Sequence, residues 1–318
     1  MKSIVPLVGS LALGAAAAAT GAPLRPAAQA SGAFAPVMGY VAPAGRGNAL
    51  MLINADGSGG QTAYRYTSGA HYDLTSAAQH LIAVADNQSI LMLSWSLNGS
   101  TLVMSAPMVI FATSGGVYGD APAFSPDGSK LAYYTSDGFT HIINASTRQE
   151  FVRFPTEFPY QMNWMPDGNS IVVHTDIVAN GTATPELIEY PALGGAGTVL
   201  LTEPNIDSFD TSRIPGDRNL LVAFSRPDGQ SIHIAIYNPD SHAYTTYMHA
   251  FGSQVNWNCP MTKFAYHTAS NSGPPLYTYD YASGSSTVLE NKGGFARFFK
   301  CDLGSLTANA LRMQGRRH

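Results

Sequence analysis

The chain has 318 residues, of which 45% are hydrophobic and only 12% charged, with a formal net charge of −4. A charge-poor, mildly acidic chain lacks the basic footprint of a nucleic-acid binder, so no nucleic-acid partner is expected. Its 31 Gly, 20 Pro and 16 Tyr favour turns and strands over helices.

Residues 1–30 read as an export signal. Lys2 gives a positive start, Ile4 to Ala19 a short apolar run, and Ala28-Gln29-Ala30 small residues at a cleavage site before Ser31. The run is Ala/Gly-rich and shorter than the roughly 20 residues a spanning helix needs, so no stable membrane insertion is expected. The expected organisation is a signal peptide over 1–30, one domain over 31–303, and a C-terminal tail over 304–318 carrying Arg312, Arg316 and Arg317. The mature protein is expected in the periplasm or outside the cell.

From Val37 onward the chain repeats. The first tile, VMGYVAPAGRGNALMLINADG, has strands and an Asp-Gly turn but lacks the leading strand of later tiles. AHYDLTSAAQHLIAVA (Ala70 to Ala85) opens the second. In the third, YGDAPAFSPDGSKLAYYT (Tyr118 to Thr135) lies without a gap over FPYQMNWMPDGNSIVVHT (Phe158 to Thr175) of the fourth, an offset of about 40 residues. DTSRIPGDRNLLVAFS (Asp210 to Ser225) and SQVNWNCPMTKFAYHT (Ser253 to Thr268) keep the order of strand, Pro-containing turn and apolar strand. Each tile continues with a turn, a third apolar strand such as THIIN or ELIEY, a polar turn and a fourth strand. Those polar turns, at Ala55, Leu97, Ala145, Ala192, Pro239 and Ala282, recur every 42 to 48 residues.

Four short strands per repeat of this length predict a β-propeller blade, and six repeats predict an all-β, six-bladed propeller with four-stranded antiparallel blades. Each sheet is apolar on both faces and needs a neighbour on either side. The leftover strand, Phe295 to Lys300, is expected to supply the innermost strand that blade one lacks and so close the ring. Cys259 and Cys301 then stand at similar places on the first strands of the last and first blades, either as a disulfide stapling the seam or as two buried thiols.

APAFSPDGSKLAYYTSDG (Ala121 to Gly138) resembles the WD40-like PD40 repeats of TolB-type propellers, in which a strand is followed by Ser-Pro-Asp-Gly and another apolar strand. MNWMPDGNSIVVHT (Met162 to Thr175) and LMLINADGSG (Leu50 to Gly59) are similar. The resemblance covers nearly all of Phe34 to Leu303 and implies a periplasmic or extracellular propeller whose task is binding. It does not extend to the α/β domain that precedes the propeller in TolB. The same repeats accompany serine peptidases and some sugar-acid lyases, but the Gly-x-Ser-x-Gly elbow of such peptidases does not occur here.

Asp127 and Asp167, each followed by Gly, recur at one tile position and read as turn formers: Asp bonds its own backbone and Gly supplies a positive φ. His174 and His267 share a slot with Tyr134 and Phe224, a packing position between blades. The remaining histidines are scattered, and no spacing identifies a metal site. No cofactor is expected. Asp176 to Pro185 and the pair Pro274-Pro275 read as loops enlarging one face.

Loops entering each first strand surround the propeller axis. His71, Asp73, Tyr118, Asp120, Tyr160, Gln161, Asp207, Asp210, Gln254, Asn256 and Arg297 are placed there, as the lining of a ligand-binding funnel or as solvated groups at a water-filled mouth. The leading expectation is an exported, non-catalytic binding or scaffold protein for a protein or glycan partner. The alternative is a carbohydrate-active lyase or hydrolase whose histidines and carboxylates meet in the funnel.

Overall fold

A computed structural model describes residues 34–302, apart from 46, 180, 226–231, 269–274 and 292. The expected signal peptide and C-terminal tail lie outside the described residues. Among the described residues the secondary structure is all strand, with no helix.

The first blade contains β1 (Met38–Ala44), β2 (Gly47–Ile53) and β3 (Gln61–Arg65), and the second β4 (Tyr72–Leu74), β5 (Leu81–Asp86), β6 (Ser89–Asn98), β7 (Thr101–Met104) and β8 (Met108–Phe111). The third holds β9 (Gly119–Phe124), β10 (Lys130–Thr135), β11 (Phe139–Asn144) and β12 (Glu150–Pro155). The fourth is β13 (Pro159–Trp164), β14 (Ser170–Ala179), β15 (Thr182–Pro191) and β16 (Thr198–Thr202). The fifth is β17 (Ile206–Thr211), β18 (Leu220–Ser225), β19 (Ile232–Asn238) and β20 (Ala243–Phe251). The sixth is β21 (Ser253–Trp257), β22 (Lys263–His267), β23 (Leu276–Asp280) and β24 (Ser285–Glu290). The last strand, β25 (Gly294–Phe298), pairs antiparallel with β1, Met38 opposite Phe298 and Gly39 opposite Arg297, so blade one reads β25-β1-β2-β3. The C-terminal strand therefore closes the first blade, as the leftover tile required.

The innermost strands touch in a cycle: β25 beside β4, then β9, β13, β17 and β21, and back to β25. Six apolar clusters fill the gaps between blades. Leu50 and Leu52 of blade one meet Ile82, Val84 and Trp95 of blade two. At the seam, Ala265 and Leu276 of blade six meet Met38, Ile53 and Phe298 of blade one. Because both faces of a blade are covered, the in-and-out alternation of an ordinary antiparallel strand disappears from the middle strands: β5 and β10 bury every residue after the first.

The Asp-Gly turns work as the repeat pattern predicts. Asp127 accepts bonds from the Ser125 hydroxyl at 2.5 Å and the Ser129 amide at 3.1 Å, and Gly128 takes a φ of 66°. Asp167 likewise accepts from the Asn169 amide at 2.9 Å.

Two elements depart from the sequence reading. The segment Asp176 to Pro185, expected as a loop, is instead the tip of a β14–β15 ribbon, with Asp176 opposite Pro185 and Ala179 opposite Thr182. The polar composition concealed a strand pair that runs past the blade edge, where no neighbour demands apolar residues. In blade two, β6 overshoots: its start pairs with β8 (Ile90 opposite Phe111) and its end with β7 (Trp95 opposite Met104). The fourth-strand place is thus taken by β8, and β7 is an added hairpin arm. Cys259 and Cys301 are bonded, with Cα atoms 5.2 Å apart.

Candidate functional site

The axial surface is built in two tiers by the same residue of each inner strand. His71, Ala121, Gln161, Ser208, Gln254 and Phe295 form the upper tier. Two residues further along each strand come Asp73, Ala123, Asn163, Asp210, Asn256 and Arg297. Five of the six inner strands carry a register shift at the upper tier. There Ala121, Gln254 and Phe295 adopt left-handed φ values of 49°, 55° and 49°. Such backbone persists in residues other than Gly only where surroundings enforce it, and here the bulges bend the strand ends around the pocket mouth.

The lower tier latches the blades together. Asp73 accepts from the Phe124 amide at 2.7 Å, Asp210 from the Trp257 amide at 2.7 Å, and Asn256 from the Phe298 amide at 2.7 Å, in each case one blade onward. Asn163 donates to the Phe209 carbonyl at 3.1 Å and accepts from Arg297 at 3.0 Å, right across the axis. The upper tier repeats the device: Ser208 accepts from the Gln254 amide at 2.7 Å, and Gln254 in turn from the Phe295 amide at 2.7 Å.

Above the latches lies a pocket of about 90 Å³, lined by the whole upper tier together with Tyr160, Asp207, Asn256 and Arg297. Of the residues picked from sequence, His71, Tyr160, Gln161, Asp207, Gln254, Asn256 and Arg297 thus meet at one cavity. Tyr118 and Asp120 instead line a neighbouring cleft that shares His71 as a wall; His71 Nδ1 and Asp120 Oδ1 are 2.7 Å apart. Asp73 and Asp210 do not reach the pocket lining. They are buried beneath it, because the side chain that crosses to the next blade must leave the axial surface.

Burial pushes the Asp73 carboxyl up, but Lys300, 2.9 Å away, and Arg297 outweigh it and hold the group below its ordinary value. At Asp210 burial wins and the carboxyl is raised despite Arg213 at 2.8 Å. Burial lowers His174 and His267; the His174 ring lies 5.4 Å from that of Tyr160 in its own blade. Among the described residues no three His, Cys, Asp or Glu side chains are grouped to hold a metal ion.

Phe295 and Ser208 were absent from the sequence selection. Each occupies the Gln161 and Gln254 slot of the aligned repeats, so the alignment contained the signal while residue polarity misdirected it. Phe295 remains 38% exposed, 5.8 Å from the His71 ring, and Tyr160 is 48% exposed, 5.8 Å from Phe158. The pocket mouth therefore presents aromatic faces, while its polar groups are largely engaged in holding blades together.

These features define a six-bladed β-propeller with an axial pocket at one end. The fold is similar to that of TolB from Acinetobacter baumannii, with a TM-score of 0.62 and 17% identity over 84% of this chain and 67% of that one. It is also similar to a propeller in a crystal structure of a nidogen/laminin complex, with a TM-score of 0.60 and 10% identity over 83% of this chain and 98% of that one. No family model and no curated protein matches the sequence. No helix among the described residues is long and apolar enough to cross a membrane.

Proposed function

We propose that this propeller is an exported, non-catalytic binding protein that engages a protein partner at the axial pocket. The observation that carries the reading is the division of labour at the mouth. Asp210, Asn256, Asn163, Ser208 and Gln254 hold neighbouring blades, leaving Tyr160 and Phe295 as exposed faces around a small polar cavity. Aromatic surface with a few fixed hydrogen-bonding groups suits recognition of a polypeptide segment. At the pocket wall His71 meets one carboxylate, Asp120, and among the described residues no three His, Cys, Asp or Glu side chains come together, which favours binding over the lyase or hydrolase alternative. The likeness to TolB, and to a propeller crystallised in a nidogen/laminin complex, supports the same direction.

The test is recovery of cross-linked partners from the native envelope or medium with wild type and with Tyr160→Ala, Phe295→Ala and the remote Leu193→Ala. The expected result is loss of one protein partner with the first two variants and its retention with the third. Retention in both pocket variants, or capture of a glycan alone, overturns the reading. Export is tested by the N-terminus of the mature protein, expected at Ser31.

A further inference from the structure

The opposite end of the axis, beneath the latches, holds a second and smaller cavity of about 20 Å³, lined by Pro126, Trp164, Pro166, Ser212, Arg213, Lys300 and Cys301. Two of these residues are cations. Lys300 Nζ lies 2.9 Å from Asp73, and Arg213 Nη2 lies 2.8 Å from Asp210. A third cation, Arg297, stands 3.9 Å from Asp73 and bonds Asn163. Two carboxylates thus face three cations, and both carboxylates are fully withdrawn from solvent. A second observation is independent of this imbalance: among the described residues Arg213 Nε is buried with no hydrogen-bond partner, and Arg213 lines the cavity.

We propose that this cavity binds one small monovalent anion of halide size, held between Arg213 and Lys300. An uncompensated buried charge costs several kcal/mol, and an anion here removes the excess while accepting from both donors. Size limits the ligand class. One water needs roughly 10–15 Å³, so a cavity of about 20 Å³ suits a particle little larger than water better than phosphate, sulfate or a carboxylate-bearing ligand. The electrostatics agree. Burial lowers Lys300, and Arg213 and Arg297 add to the effect against the pull of Asp73.

The site is separate from the aromatic pocket and stands whatever binds there. Its expected consequence is anion-specific stability. Thermal unfolding is followed in chloride and in gluconate at equal ionic strength, since gluconate is too large for the cavity. The unfolding midpoint is expected to rise by about 2–4 °C per tenfold increase in chloride beyond saturation, and not with gluconate. Crystals soaked in bromide should show an anomalous peak in contact with Arg213 Nε and Lys300 Nζ. Lys300→Met balances the cluster at two charges of each sign and is expected to abolish the chloride response. Equal midpoints in the two salts, bromide only at exposed surface, or a chloride response that survives in Lys300→Met overturns the assignment. If that variant does not fold, the salt series and bromide soak on wild type still decide.

Discussion

His174 shows how one slot in a repeat can be read chemically. Its ring is buried beside Tyr160, 5.4 Å away, and among the described residues Nδ1 has no hydrogen-bond partner. Burial lowers its affinity for protons. The unfolded chain therefore binds a proton near the ordinary value of about 6.5 while the folded chain resists it, so stability falls as pH drops below that value towards the lowered one. The slope cannot exceed about 1.4 kcal/mol per pH unit for each such histidine. His174→Phe, which installs the kind of ring found at Phe224, is expected to remove part of this acid sensitivity, with His267 retaining its own share. Urea midpoints between pH 7 and pH 5 check it. Asp73 behaves oppositely to a solvated carboxylate: Asp73→Ala strands Lys300 and is expected to cost about 3–5 kcal/mol, measured by denaturant unfolding. What the sequence exposed at this scale were residues whose type is dictated by their own backbone, such as Asp127 and Gly128. Asp73 and Asp210 were visible as polar residues on inner strands, but whether a carboxylate faces the axis or reaches the adjoining blade depends on a neighbour distant in sequence. The pairings of Arg213 with Asp210 and of Lys300 with Asp73 were hidden for the same reason.

At the level of strands, the four-strand period was legible because each middle strand must be apolar on both faces. Leu221, fully buried in β18 between blades five and six, illustrates the energetic reason. Leu221→Ala is expected to destabilise by about 2–5 kcal/mol, the range for a cavity in a closely packed core, whereas Val178→Ala on the exposed ribbon tip should change stability by less than about 0.5 kcal/mol. Equilibrium unfolding of both variants separates the two environments. Where strands leave the ring, that constraint lapses. The tip of the β14–β15 ribbon and the β7 arm are exposed or half-buried, so the two-faced apolar pattern of the middle strands did not announce them. At the pocket the strand order was readable while the bulges were not: Ala121, Gln254 and Phe295 share a backbone conformation, not a residue type.

For the molecule as a whole, the ring is only as firm as the junction of its ends, and there hydrogen bonding and covalent chemistry coincide. β25 pairs with β1, the Phe298 amide bonds Asn256, and the disulfide links Cys259 of blade six to Cys301 across a sequence separation of 42. Closing a loop of that length restricts the unfolded chain by about 4 kcal/mol in the entropic account. Removing both thiols with Cys259→Ser and Cys301→Ser is expected to lower stability by about 2–4 kcal/mol, with β25 amides gaining hydrogen exchange before those of β10 or β18. Uniform exchange across all blades would show that the seam is not the first place to open.

The strand that completes the first blade also furnishes Phe295 and Arg297 to the pocket and is followed directly by Lys300. The pocket wall and ring completion consequently share one short segment, the last of the described strands to emerge during synthesis. A chain missing it keeps the strand pairing of the other five blades but loses part of the pocket wall, so the axial pocket exists only where the ring has closed.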